Sequence, residues 1–67
     1  MTISELIKNA LKEKSPLTPL ELVTIVRESG YFPQGIPAQN IIQEMWSLKG
    51  QGIITVHTQK GVLLNEN

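Results

Sequence analysis

The sequence predicts a small α+β domain, three helices followed by a C-terminal two-stranded β-hairpin. Three observations predict it. Apolar residues recur at helical spacing in three separate segments between residues 3 and 50. Proline and glycine punctuate the joints between those segments. After Gly52 the apolar period changes from 3.6 to 2, in a run rich in β-branched residues.

The first helix is expected over residues 3–14. Ile3, Leu6, Ile7, Ala10 and Leu11 form its apolar stripe, with Glu5, Lys8 and Lys12 on the solvent side. Thr2 and Glu5 stand at capping-box spacing, each side chain placed to satisfy the other's backbone N–H. Met1 and Leu6 stand where a hydrophobic staple would pack. Ser15-Pro16 ends the helix, because proline disfavours helical geometry in the residue before it.

Thr18-Pro19-Leu20-Glu21 is a second capping box, with proline at the first helical position, where its missing N–H costs nothing. Leu17 and Leu22 make its staple. The second helix is expected over 19–29, with Leu20, Leu22, Val23 and Val26 inward and Gly30 as a left-handed cap. Tyr31 to Ile36 reads as a turn whose two aromatics plug an edge of the core.

Pro37 is placed to open a third helix over 37–50. Ala38, Ile41, Ile42, Met45 and Leu48 form its apolar face, with Trp46 at the margin. Gln39, Asn40, Gln43, Glu44 and Ser47 point outward. Either Gly50 or Gly52 takes the left-handed cap. Strands are expected over 53–58 and 62–65, joined by a type I turn at Thr58-Gln59-Lys60 with Gly61 in the left-handed bulge position. Glu66 and Asn67 are expected to fray.

Composition limits the function. The chain has 67 residues, one domain over 1–67, with no cysteine to supply a disulfide or thiolate–metal staple. It has no aspartate and a single histidine, His57, so an Asp-based triad, an EF-hand loop and a multi-histidine metal site are excluded. A ligand pocket of a few hundred Å³ would empty most of so small a core. We therefore expect no enzyme, no cofactor, no metal and no small-molecule substrate. There is no apolar run of membrane-spanning length and no signal pattern, and a cytoplasmic location is expected.

The order of elements resembles the winged-helix fold. The stretch carrying the resemblance is Pro37 to Leu64, with Leu48, Gly52 and Ile54 standing where that family has a leucine, a glycine and an aliphatic strand residue. The resemblance implies that Leu17 pairs as a third, very short strand and that Ile54, Val56, Val62 and Leu64 lie across the open side of the helices. Pro37 to Leu48 is also similar to the third helix of Z-alpha domains, with Trp46 at that family's key tyrosine. Ile42, however, fills its essential asparagine position, and Ala38, Gln39 and Gln43 fill its basic positions. We read this as shared fold geometry.

The winged-helix resemblance implies duplex-DNA binding with the third helix in the major groove. Gln39, Asn40, Gln43 and Ser47 would then face the bases, since asparagine and glutamine suit the N6 and N7 edge of adenine. Lys60 and Lys49 would contact phosphates, and Thr18 with the second helix's free amides would hold another. Electrostatics weigh against this. Lys8, Lys12, Lys14 and Arg27 are balanced by Glu5, Glu13, Glu21 and Glu28, and Lys49 and Lys60 by Glu44 and Glu66, for a net charge of zero. A homodimer would double the phosphate contacts.

The alternative is a protein-interaction winged helix, an adaptor or subunit without nucleic acid, with Tyr31, Phe32 and Trp46 as its interface. A buried Trp46 under a polar face would favour DNA. Trp46 and a neighbour standing out as an apolar patch would favour a protein partner.

Overall fold

The computed structural model describes residues 1–65. The fraying expected of Glu66 and Asn67 lies outside them. In chain order the elements are helices α1 (Ile3–Glu13), α2 (Pro19–Glu28) and α3 (Ala38–Gly50), then strands β1 (Ile54–His57) and β2 (Gly61–Leu64). The architecture is the expected small α+β arrangement, three helices followed by an antiparallel hairpin.

Both threonine capping boxes form as the sequence implies. The Thr2 hydroxyl accepts from the Glu5 N–H at 3.1 Å, and the Thr2 N–H donates to Glu5 Oε1 at 3.3 Å. At α2 the Glu21 N–H donates to the Thr18 hydroxyl at 3.1 Å and the Thr18 N–H to Glu21 Oε1 at 3.0 Å. Helix α1 stops at Glu13, one residue early, because Lys14 turns extended while its N–H still bonds the Ala10 carbonyl. Helix α2 stops at Glu28 with Ser29 as its cap, and Gly30 follows at φ 87°.

Helix α3 begins at Ala38, not at Pro37. Proline's fixed φ suits a helix and an extended chain alike, and Pro37 takes the extended choice, ψ 138°. At the other end Gly52, not Gly50, is left-handed, at φ 78°. Its N–H bonds the Lys49 carbonyl and the Ile53 N–H bonds the Leu48 carbonyl, both at 3.0 Å, a complete Schellman pair. Ile53 is thereby committed to the helix cap, and β1 starts one residue later.

The hairpin pairs Ile54 with Leu64, Thr55 with Leu63, Val56 with Val62 and His57 with Gly61. On the far side of β2, Leu17 bridges Val62: the Leu17 N–H donates to the Val62 carbonyl at 3.1 Å, and the Val62 N–H to the Leu17 carbonyl at 2.7 Å. Leu17 therefore pairs as expected, as a one-residue bridge beside a two-stranded sheet, and β2 lies between it and β1. Gly61 is required here twice over. Its φ is 101°, and a Cβ would sit 2.8 Å from the Leu17 carbonyl oxygen.

One core joins all the elements. It holds Leu6, Ile7, Ala10 and Leu11 of α1, Leu22, Val23 and Val26 of α2, and Ile41, Met45 and Leu48 of α3, closed by Leu17, Ile54 and Val62. Val56 and Leu64 pack against it, as expected. Three expected core positions, Leu20, Tyr31 and Ile42, are corrected, and Trp46 lies outside rather than at the margin. Leu20 is 75% exposed, because it falls about 120° round α2 from the centre of the buried set; Ile25 takes the inward place instead. Tyr31 is outside while Phe32 packs on the core, since a turn sends adjacent side chains different ways. Ile42 and Trp46 lie on the outer side of α3, as described next.

Candidate nucleic-acid interface

Helix α3 is held by its inner face and leaves its outer face free. Ile41, Met45 and Leu48, spaced i, i+4, i+7, are buried against α1 and α2 and the start of the hairpin. This fixes the helix's rotation and points the opposite positions outward. Gln39, Asn40, Gln43 and Ser47 are all exposed, as the sequence implies. Asn40, Gln43 and Ser47 follow one another at i, i+3, i+7, and Gln39 with Gln43 at i, i+4, so the four form one polar surface. Ser47 accepts a hydrogen bond from the Gln51 amide at 3.3 Å.

Beside this polar surface runs an apolar one that the sequence reading placed elsewhere. Ile42, expected inside, is 37% exposed, and Trp46, expected at the margin, is 55% exposed. They lie at i, i+4 and adjoin on the helix surface. The Lys49 ammonium stands 4.5 Å from the centroid of the Trp46 ring, a cation–π contact that places the charge at the edge of the same face. Trp46 with its neighbour Ile42 thus stands out as the arrangement expected to favour a protein partner; of the other residues expected to form that patch, Tyr31 is exposed and Phe32 is packed against the core.

The expected backbone contacts sit as follows. Lys60 is exposed in the three-residue turn Thr58–Lys60 at the hairpin tip. Thr18 is exposed, but its hydroxyl and its N–H are both engaged with Glu21, whose carboxylate occupies the start of α2. The Thr18 N–H first, and the Thr18 side chain after it, hold the Glu21 carboxyl below the usual carboxylate range, with a smaller effect of Lys14. Helix α3 carries no such anion: its first turn has no acidic residue and Pro37 makes no side-chain cap.

One residue escaped sequence reading. Arg27 Nε donates to the Ile36 carbonyl at 3.1 Å, which pins this exposed cation beside the entry to α3. Its nine-residue separation from Ile36 in sequence gave no local signal. Cations therefore stand near the start of α3 (Arg27), near its end (Lys49) and on the hairpin tip (Lys60).

Two further features bear on function. An open groove of about 400 Å³ beside α2 is lined by Lys14, Leu17, Leu20, Glu21, Thr24 and Ile25. Among the described residues, no three His, Cys, Asp or Glu side chains gather as a metal-binding set, and no helix is long and apolar enough to cross a membrane. No protein-family model matches this chain, and neither a curated protein nor a solved structure matches it.

Proposed function

We propose that this chain is a winged-helix domain that binds duplex DNA, with α3 in the major groove and the Thr58–Lys60 turn as the wing tip on the backbone. The order of the elements and the Leu17–Val62 bridge support the winged-helix assignment. The observation that carries the DNA reading is the outer face of α3, where Gln39, Asn40, Gln43 and Ser47 stand exposed together on a helix anchored by its opposite side. Amides and hydroxyls of this kind read base edges, while Arg27, Lys49 and Lys60 supply phosphate contacts around them. With a net charge of zero and three such cations, a single copy binds weakly at physiological salt. A role as a small cytoplasmic transcriptional regulator or DNA-associated factor, acting as a dimer, fits that weakness.

NMR titration of labelled protein with random-sequence duplex, at about 20 and then 150 mM salt, tests the reading. Shifts confined to α3 outer-face amides, Arg27 and Lys60, fading with salt, are the expected result. Lys60→Ala should weaken binding to all sequences alike and flatten the salt slope by about one unit. Gln43→Ala should instead reduce discrimination between sequences, and equal loss across sequences would reject α3 as the reading helix.

A second reading is favoured by a specific observation, the exposed Ile42–Trp46 pair on a chain without net charge. On it, α3 docks an apolar segment of a protein partner and no nucleic acid is bound. An absence of shifts at low salt, where non-specific electrostatic binding is strongest, would select it.

A further inference from the structure

We propose that α3 selects A·T-rich duplex, with Ile42 and Trp46 packing on thymine methyl groups while Gln39, Asn40 and Gln43 bond adenine edges. The inference rests on the DNA-binding reading above and adds the class of sequence bound. Its starting point is the apolar pair, the same observation that favours the protein-partner reading; the exposed amides in direct succession with it are what assign it here to DNA. The core is complete without Ile42 and Trp46, yet both lie exposed in direct succession with the amides: Gln39 and Gln43 are i and i+4, Ile42 and Trp46 are i and i+4, and Gln43 precedes Trp46 by three. A surface presented to the major groove thus carries amide and apolar side chains side by side.

Each base pair offers that groove a distinct set of groups. Thymine's C5-methyl is the apolar one, and adenine's N7 and N6 form the acceptor–donor pair that a carboxamide matches in two bonds. Guanine is read best by arginine or lysine, and cytosine by a carboxylate. The charged residues of α3 are Glu44 and Lys49. Glu44 is half-buried, and Lys49, whose ammonium lies over the Trp46 ring at the edge of the face, is the cation assigned above to a phosphate. The side chains that the outer face offers therefore match A·T pairs on both strands and lack the best partners of G·C pairs.

The apolar contacts also answer the electrostatic objection. Removing apolar surface from water stabilises a complex without neutralising phosphates. A chain with no net charge gains affinity in this way, and the contribution survives added salt.

The test compares three short duplexes by fluorescence anisotropy at about 20 mM salt. One is a mixed A·T sequence, the second is the same with every thymine replaced by deoxyuridine, and the third is a G·C sequence. The expected result is at least about tenfold tighter binding to A·T than to G·C, the discrimination of one good bidentate pair. Loss of the methyl groups should weaken A·T binding about fourfold per methyl contact. Ile42→Ala and Trp46→Ala, both outside the core, should abolish the difference between thymine and uracil while leaving the far-ultraviolet circular dichroism unchanged. Equal binding to the A·T and G·C duplexes would overturn the inference and leave the DNA reading standing. So would equal binding to the thymine and uracil duplexes, or variants that keep the difference. No binding to any of the three would overturn the DNA reading itself and this inference with it.

Discussion

Helices α1 and α3 bury similar aliphatic stripes and differ in everything else they present. On α1 the inward set is Leu6, Ile7, Ala10 and Leu11, Ile3 packs at its edge, and the remaining positions are polar or charged. Helix α3 buries Ile41, Met45 and Leu48 and carries two further large apolar residues, Ile42 and Trp46, on the solvent side. The starts differ as well. Thr2 and Glu5 close the first turn of α1 with reciprocal bonds, whereas Pro37 has neither a hydroxyl to accept nor an N–H to donate. A helix that serves only the fold spends its apolar residues inward and caps its own amides. Helix α3 does neither completely, and its surplus is what the proposed binding role uses.

The contrast within α3 is the place to break this view with the largest effect. Leu48→Ala should cost about 2–5 kcal/mol in urea unfolding, the loss of a buried leucine with its cavity. Trp46→Ala and Ile42→Ala should stay within about 0.5–1 kcal/mol, as surface changes do. A Trp46→Ala cost equal to that of Leu48→Ala would place the indole in the core and remove the outer apolar surface.

The next effect belongs to the hairpin. Gly61→Ala brings a Cβ within 2.8 Å of the Leu17 carbonyl oxygen at a φ of 101°. It should destabilise by more than about 1 kcal/mol and expose the Leu17 and Val62 amides to hydrogen exchange. Retained protection of both would show that the bridge tolerates displacement. Removal of a cap comes third: Thr2→Ala and Thr18→Ala should each cost about 1 kcal/mol.

The smallest effect is a pH dependence that should divide the helices. The Glu5 and Glu21 carboxyls are both held below their ordinary value, chiefly by the backbone N–H of Thr2 and Thr18 respectively. A carboxyl whose folded pKa is lowered contributes stability that is present above its unfolded pKa and lost as pH falls through the folded one. Acidification below the ordinary carboxylate range should therefore fray the first turns of α1 and α2. The first turn of α3, which has no acidic residue, should not respond. Amide exchange followed helix by helix checks this. Equal fraying of all three would mean that the capping boxes do not set the response.

What could be read before folding was what is local. Each capping box is a pair three residues apart, Gly30 and Gly61 follow from the elements they terminate, and the outward amides of α3 are the complement of its apolar stripe. The Leu17 bridge was legible only through resemblance, because one leucine between two helices carries no strand pattern of its own. Ile42 and Leu20 were misplaced because a broad apolar stripe allows several rotations of a helix, and only packing selects one. Arg27 was missed because its partner, the Ile36 carbonyl, is brought to it by the turn between α2 and α3.

The sequence by itself determined the number and type of the elements, and their ends to within one residue, through period, caps and glycines that act within a turn of chain. It also determined the absence of aspartate and cysteine and the balance of charge, which bound the chemistry before any fold is known. Only the tertiary structure decided which apolar residues are left over. The core has room for a fixed set of side chains, filled when Ile41, Met45 and Leu48 meet α1, α2 and the hairpin. Ile42 and Trp46 are chemically no less suited to it, and remain outside because the space was already taken.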